Sequence, residues 1–219
     1  MLKSYLKRNN LKKNLGLTLV ELLVVISIFL VISSVAIFNY GGFRSSVSLQ
    51  NLTDDIALSI RKAQSFAIGA RAVGGDFYGS YGIHFSSNPT AQSLTASNKS
   101  FLMFSVPFGS SDKRYVVGTG SCGDSTNKCI ELFSITTADM IKTITINDNS
   151  QTLGSGEYLD VVFTRPDPRA YFCYRTSIGG GCSSTIISNA SITVSNGLVG
   201  QAERTKIISV QNTGQISIQ

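Results

Sequence analysis

The sequence predicts an α+β chain: a long N-terminal α-helix, with a membrane-spanning half and an amphipathic half, packed on an antiparallel β-sheet globular head. Three observations carry that expectation. Leu17 to Phe38 is uncharged and largely apolar except for Glu21. Leu49, Leu52, Ile56, Ile60, Ala63 and Ala67 recur at steps of three and four. From residue 74 onward, short β-rich runs alternate with Gly, Ser and Thr.

The first element is a basic leader, residues 1–16, with Lys3, Lys7, Arg8, Lys12 and Lys13 and no acid. It holds five of the nineteen basic residues, so without it fourteen bases face thirteen acids. The formal charge of +6 is therefore concentrated in the leader, and pI alone gives no general argument for nucleic-acid binding.

Residues 17–40 form the second element. The 22 residues from Leu17 to Phe38 would span roughly 33 Å as a helix, at about 1.5 Å per residue, which matches a bilayer core. Lysines on the N-terminal side place that end in the cytoplasm by the positive-inside rule, with the remainder outside. Ser33, Ser34 and Ala36 imitate a signal-peptidase site, but the run is longer than an ordinary signal core. Thr18 and Glu21 fit a T-x-x-E capping box, and an acid suits the positive end of a helix dipole. A carboxylate in hydrocarbon still costs up to about 2–3 kcal/mol and calls for a cationic partner. Cleavage after Gly16 would create one by freeing the amine of Leu17, in the same chain or in a neighbouring subunit.

The stretch "GLTLVELLVVISIFLVISSVAIFNY" resembles the class III signal and N-terminal helix of type IV pilins and type II secretion pseudopilins. The resemblance implies a pilin-like fold and cleavage by a prepilin peptidase after Gly16. It also implies N-methylation of Leu17 and docking of subunits through Glu21. The implied partners are other pilin or pseudopilin subunits, an inner-membrane assembly platform and, before assembly, membrane lipid. The implied location is the cytoplasmic membrane, then a surface pilus or a periplasmic pseudopilus. Two residues depart from the common pattern: Leu17 stands where Phe is usual, and Phe38 stands where many pilins have a helix-kinking proline.

Residues 41–73 are the expected outer stem helix, with Gly41-Gly42 as a candidate hinge, and residues 74–219 the head. Strand candidates in the head are "YGIHF", "FLMFSVPF", "RYVV", "CIELFSI", "IKTITI", "YLDVVFT", "AYFCYR", "TIISNASITV", "KIISV" and "QISIQ". The last two flank Gln211-Asn212-Thr213-Gly214, a hairpin turn signal. "IKTITIND" alternates without a clean apolar face. "DDIALSIRKAQSFAIGARA" followed by strands and a terminal "IISVQNTGQISIQ" resembles FimT/GspH-type minor pilins and pseudopilins. FimT-type proteins that bind DNA carry G-R-x-R near the C-terminus, whereas Gly214-Gln215-Ile216-Ser217 lacks both arginines.

The candidate DNA contacts are Arg204 and Lys206 first, then Arg165, Arg169 and Arg175, which are interleaved with Tyr171, Phe172 and Tyr174. Period-two alternation favours core aromatics with surface arginines instead. Cys122, Cys129, Cys173 and Cys182 have spacings unlike zinc knuckles, and a single histidine, His84, limits other ligand sets; no metal or cofactor is expected. Two local disulfides, Cys122–Cys129 and Cys173–Cys182, are the simplest of three connectivities, with free buried thiols as the alternative. Each ring would contribute about 2–3 kcal/mol by loop closure. Catalysis has little support: His84 reads as a satisfied strand histidine, and "SIGGGCSS" does not fit a phosphate-binding loop. Two functions follow, a structural filament subunit and a DNA-binding module for natural transformation displayed on such a filament.

Overall fold

The computed structural model describes residues 18–69, 72–73, 76–89, 96–107, 113–117, 122, 128–148, 150–177, 179–183, 185–197 and 203–219. One helix, α1 (Leu19–Ile68, 50 residues), is followed by eleven strands among the described residues. The chain divides into two compact units, up to Phe43 and from Arg44 onward.

In the first unit, α1 is apolar and exposed around its circumference, as Leu23 at 57%, Phe29 at 68% and Ile32 at 65% illustrate. Its most apolar window is long and hydrophobic enough to cross a membrane and is 0% buried. The helix runs through Gly41-Gly42 rather than breaking there. Each glycine costs about 1 kcal/mol relative to alanine but keeps its amide donor, whereas a proline would remove one.

In the second unit, the helical stripe is buried: Leu49, Leu52, Ile56, Ile60, Ala63 and Ala67 lie between 0% and 8% exposed. A fully buried Ile is worth about 1.5–3 kcal/mol, so Ile56 and Ile60 make α1 integral to the head's core. The helix stops at Ile68, short of the expected boundary at 73. Gly69 closes the last turn with its amide on the Ser65 carbonyl at 2.8 Å, and β1 (Ala72–Val73) already belongs to the sheet that follows.

Two antiparallel sheets enclose this core. The first contains β2 (Asp76–Ser86), β3 (Ser100–Pro107), β4 (Cys129–Ser134), β7 (Tyr158–Thr164) and β8 (Asp167–Arg175), in the order β4-β3-β2-β7-β8, with β1 paired to β2. The second contains β5 (Met140–Ile146), β6 (Gln151–Thr152), β9 (Asn189–Ser195), β10 (Thr205–Gln211) and β11 (Ile216–Ile218), in the order β11-β10-β9-β5-β6. β10 and β11 form the expected hairpin, where Gly214 adopts φ +86 and donates to Gln211 O at 2.9 Å. "RYVV" is not a strand, and the "TIIS" half of its candidate lies before β9.

The first sheet is covered on both faces, which explains why β3 and β7 are apolar runs rather than alternating patterns. Tyr81, Ile83 and Phe85 enter the core with α1, while Leu102, Phe104, Val106 and Val162 build a second cluster with Tyr115 and Cys129 on the opposite face. Gly82 lies where that packing is tightest: a Cβ there would meet Phe104 Cζ at 2.7 Å and the Val161 carbonyl oxygen at 2.8 Å. The mixed pattern of β5 is resolved by a bulge between Ile141 and Thr143. It returns Ile141, Ile144 and Ile146 to one buried face although the first two are three residues apart.

Gly82→Ala should lower stability by about 1–3 kcal/mol in urea unfolding, because the Val161 backbone cannot yield as a side-chain tip can. An unchanged midpoint would mean that the sheet relaxes there freely.

Candidate functional site

Gly16 and Leu17 lie outside the described residues. The helix that follows them opens with a reciprocal capping box. Glu21 N donates to Thr18 Oγ1 at 3.2 Å, and the Glu21 carboxylate accepts from Thr18 N and Thr18 Oγ1, each at 3.3 Å. Leu22 N then makes the first helical bond to Thr18 O at 3.2 Å. Ser27 satisfies its hydroxyl on Val24 O at 2.8 Å, so it adds no unsatisfied donor to the apolar surface. Glu21 is thus the one acid between Thr18 and Phe43, on the apolar exposed part of α1, and its carboxylate bonds Thr18 within the cap. An acid so placed can accept a cation from outside the helix without dismantling any core.

In the head, the basic residues separate sharply. Arg204 is exposed just before β10, and Lys206 is half-buried within it, opposite Val194. Arg165 and Arg169 line a groove of about 590 Å3 beside β8. Arg175 does not belong with them: at 1% exposure it is among the most buried large side chains, so it cannot touch a polyanion at the surface. The reason is Asp160, itself at 0% exposure, whose carboxylate accepts from Arg175 at 2.9 Å, from His84 Nδ1 at 2.5 Å and from Tyr115 N at 3.0 Å. Strand register builds this site, because β2–β7 pairing sets His84 opposite Asp160 and β7–β8 pairing sets Tyr158 opposite Arg175. The Tyr158 ring stacks on His84 at 5.3 Å between centroids. Burial, reinforced by the nearby Asp160 charge, pushes the Tyr115 phenol up to about 12. With no exposure at His84 or Asp160, the cluster cross-links strands rather than meeting a substrate. The overlooked signal was an acid inside the apolar run "YLDVVF".

The structure contains disulfides Cys122–Cys129 and Cys173–Cys182, with Cα separations of 4.8 and 5.0 Å. The first ties Cys122 to the start of β4, and the second ties β8 to the segment after it. Arg114 donates to the carbonyls of Gly179, at 3.1 Å, and Gly180, joining the two segments that cover the outer face of the first sheet. Among the described residues, no group of His, Cys, Asp or Glu could hold a metal ion.

The chain combines an apolar helix long enough to cross a membrane, opened by a capping acid, with an α+β head, which is a pilin-like build. The model of the prokaryotic N-terminal methylation motif matches residues 11–37, which supports placing the chain in the type IV pilin and pseudopilin family. The motif implies processing by a prepilin peptidase and assembly with other pilin subunits. No curated protein and no solved structure matches the chain.

Arg175→Ala would leave Asp160 buried with only His84 and the Tyr115 amide beside it, and should cost about 3–5 kcal/mol in urea unfolding; a loss well under 1 kcal/mol would deny the pair any structural role. The Tyr115 phenol also sets an alkaline limit. Its folded pKa of about 12 exceeds the ordinary 10.0, so the unfolded chain loses its proton first and stability falls as pH rises from 10 toward 12. The slope should approach about 1.4 kcal/mol per pH unit and flatten in Tyr115→Phe, as read from denaturation midpoints across that window.

Proposed function

We propose that this chain is a minor, initiating or tip subunit, of FimT/GspH type, in a type IV pilus or a type II secretion pseudopilus. It waits in the cytoplasmic membrane with its N-terminus inside and its head outside. A prepilin peptidase removes residues 1–16 and methylates Leu17, and the helix then leaves lipid for the filament. Glu21 carries this reading: it is an exposed acid in the first turn of an exposed apolar helix, four residues after the new N-terminus. In hydrocarbon its natural partner is the amine of Leu17, either its own or a neighbour's, so the pairing favours one stagger between parallel helices. The one histidine of the chain is buried against Asp160, which supports a structural reading of the head.

DNA uptake is the competing reading, supported by exposed Arg204 beside Lys206 and weakened by the absence of arginine from Gly214-Gln215-Ile216-Ser217. A gel shift of the full-length chain in detergent, repeated across salt concentrations, separates the two. Phosphate-led binding must weaken steeply with salt, and no shift at low salt removes the DNA role.

For the filament role, Glu21→Ala should leave cleavage after Gly16 intact while reducing recovery of the chain in sheared surface or periplasmic filaments. Mass spectrometry of the fractions reads both the N-terminal residue and the stoichiometry. Wild-type recovery of the variant would refute docking through Glu21.

A further inference from the structure

Three phenylalanines form a row across the first sheet: Phe85 on β2, Phe101 on β3 and Phe133 on β4, with ring centroids 5.7 and 4.8 Å apart. The row stops at β4, the last strand of its sheet, where Phe133 is only half-buried. Phe133 also lines, with Leu52, Leu58 and Phe101, a groove of about 440 Å3 between β4 and the second half of α1, and Leu58 is 64% exposed there.

The outer edge of β4 is open. Ile135 N donates to Lys99 O at 2.8 Å, which sets the phase of the antiparallel ladder: Phe133 and Ile135 turn their backbone groups to β3, and Leu132 and Ser134 turn theirs away. Among the described residues, none bonds those outward N–H and C=O groups, and both residues are exposed. The other edges are managed. β6 and β11 have two and three residues, while β8 spends Ala170 N on Asn212 O at 3.0 Å and Tyr174 O on Ser183 N at 2.8 Å. β4 has neither proline nor lysine, and its one charge, Glu131, is matched by Lys62 at 2.6 Å.

These features specify the occupant. It is an extended strand that supplies two donors and two acceptors at alternate residues, sets an apolar side chain beside Phe133, and places no acid opposite Glu131. A second β4 meets all three requirements. Turned antiparallel about a two-fold axis at Phe133, Leu132 of each copy pairs with Ser134 of the other, closing four N–H···O bonds. The two Phe133 residues become a non-hydrogen-bonded pair, with Cα atoms about 4.5 Å apart, and the aromatic row continues into the second copy. Glu131 falls opposite Ile135, and the two Glu131 residues stand about 14 Å apart along the ladder, beyond a Debye length of about 8 Å.

We propose that β4 is a homotypic docking edge: two copies of this chain associate through their heads by pairing β4 with β4 across Phe133, which joins their first sheets into one. This association goes beyond the filament role and does not rest on it.

Light scattering and hydrogen exchange of the full-length chain in detergent test this together. A mass of two chains is expected, and the Leu132 amide should exchange at least tenfold more slowly in that dimer than in the monomer. Ser134→Pro removes an outward donor from each copy but no bond of the β3 ladder. It should raise the dimer dissociation constant at least tenfold, the effect of two lost hydrogen bonds, and leave the urea midpoint unchanged. Should Ser134→Pro fail to fold by circular dichroism, Leu132→Lys carries the same comparison by setting like charges diagonally across the joint. A single-chain mass at every concentration overturns the proposal, whether the edge stays open or takes another occupant. So does a dimer that persists in the folded variants, which would be held by α1, or a Leu132 amide that exchanges as fast in the dimer as in the monomer.

Discussion

The head depends on one constraint: the stripe from Leu49 to Ala67 must be removed from water on a helix that, among the described residues, no other helix covers. Two antiparallel sheets meet that demand together, each contributing to one core with Ile56 and Ile60 at its centre. The core residues on β2, β5, β7, β9 and β10 are accordingly Ile, Val, Leu, Phe, Tyr and Ala, at alternate positions except where the β5 bulge intervenes. Sheet order follows from the same requirement, because β2 and β9, central in their sheets, bring Ile83 and Ile192 to full burial.

Burying one face of the first sheet leaves the other to be managed, and the chain does so by covering it rather than by making it polar. Leu102, Phe104 and Val162 lie under Tyr115, and the covering segments are pinned by two disulfides and by Arg114. An acid on that face would be costly if unpaired, yet Asp160 turns the cost into order. It gathers a strand neighbour from each side and a backbone amide from the covering segment. His84, Arg175 and Tyr115 are thus different parts of one fastening, and the apolar cluster beside it is fully buried.

Much of this was legible because helical periodicity survives in sequence. The stem stripe, the capping box and the terminal hairpin each show a local pattern tied to one local geometry. The missed features depend on long-range pairing. The β5 bulge shifts the side-chain period by one at Lys142, so a strand with a single buried face reads as a mixture. Arg175 resembled a surface cation because its partner lies 15 residues away, in a strand whose register the sequence does not reveal. The stem appeared to extend to residue 73 because "GARA" continues a small-residue pattern, while Gly69 had already closed the turn. The groove beside β8 was visible only as a cluster of arginines and aromatics. Folding removed Arg175 from it and added Lys113 from far along the chain.

The two disulfides join cysteines only 7 and 9 residues apart. Four thiols could pair in three ways, but these partners meet at high effective concentration in an unfolded chain, whereas either alternative requires closing a loop several times longer. Oxidation can therefore precede tertiary structure instead of waiting for it. Local chain statistics favour the cross-links beside the outer face of the first sheet, so the search for long-range strand register can begin with these thiols already joined.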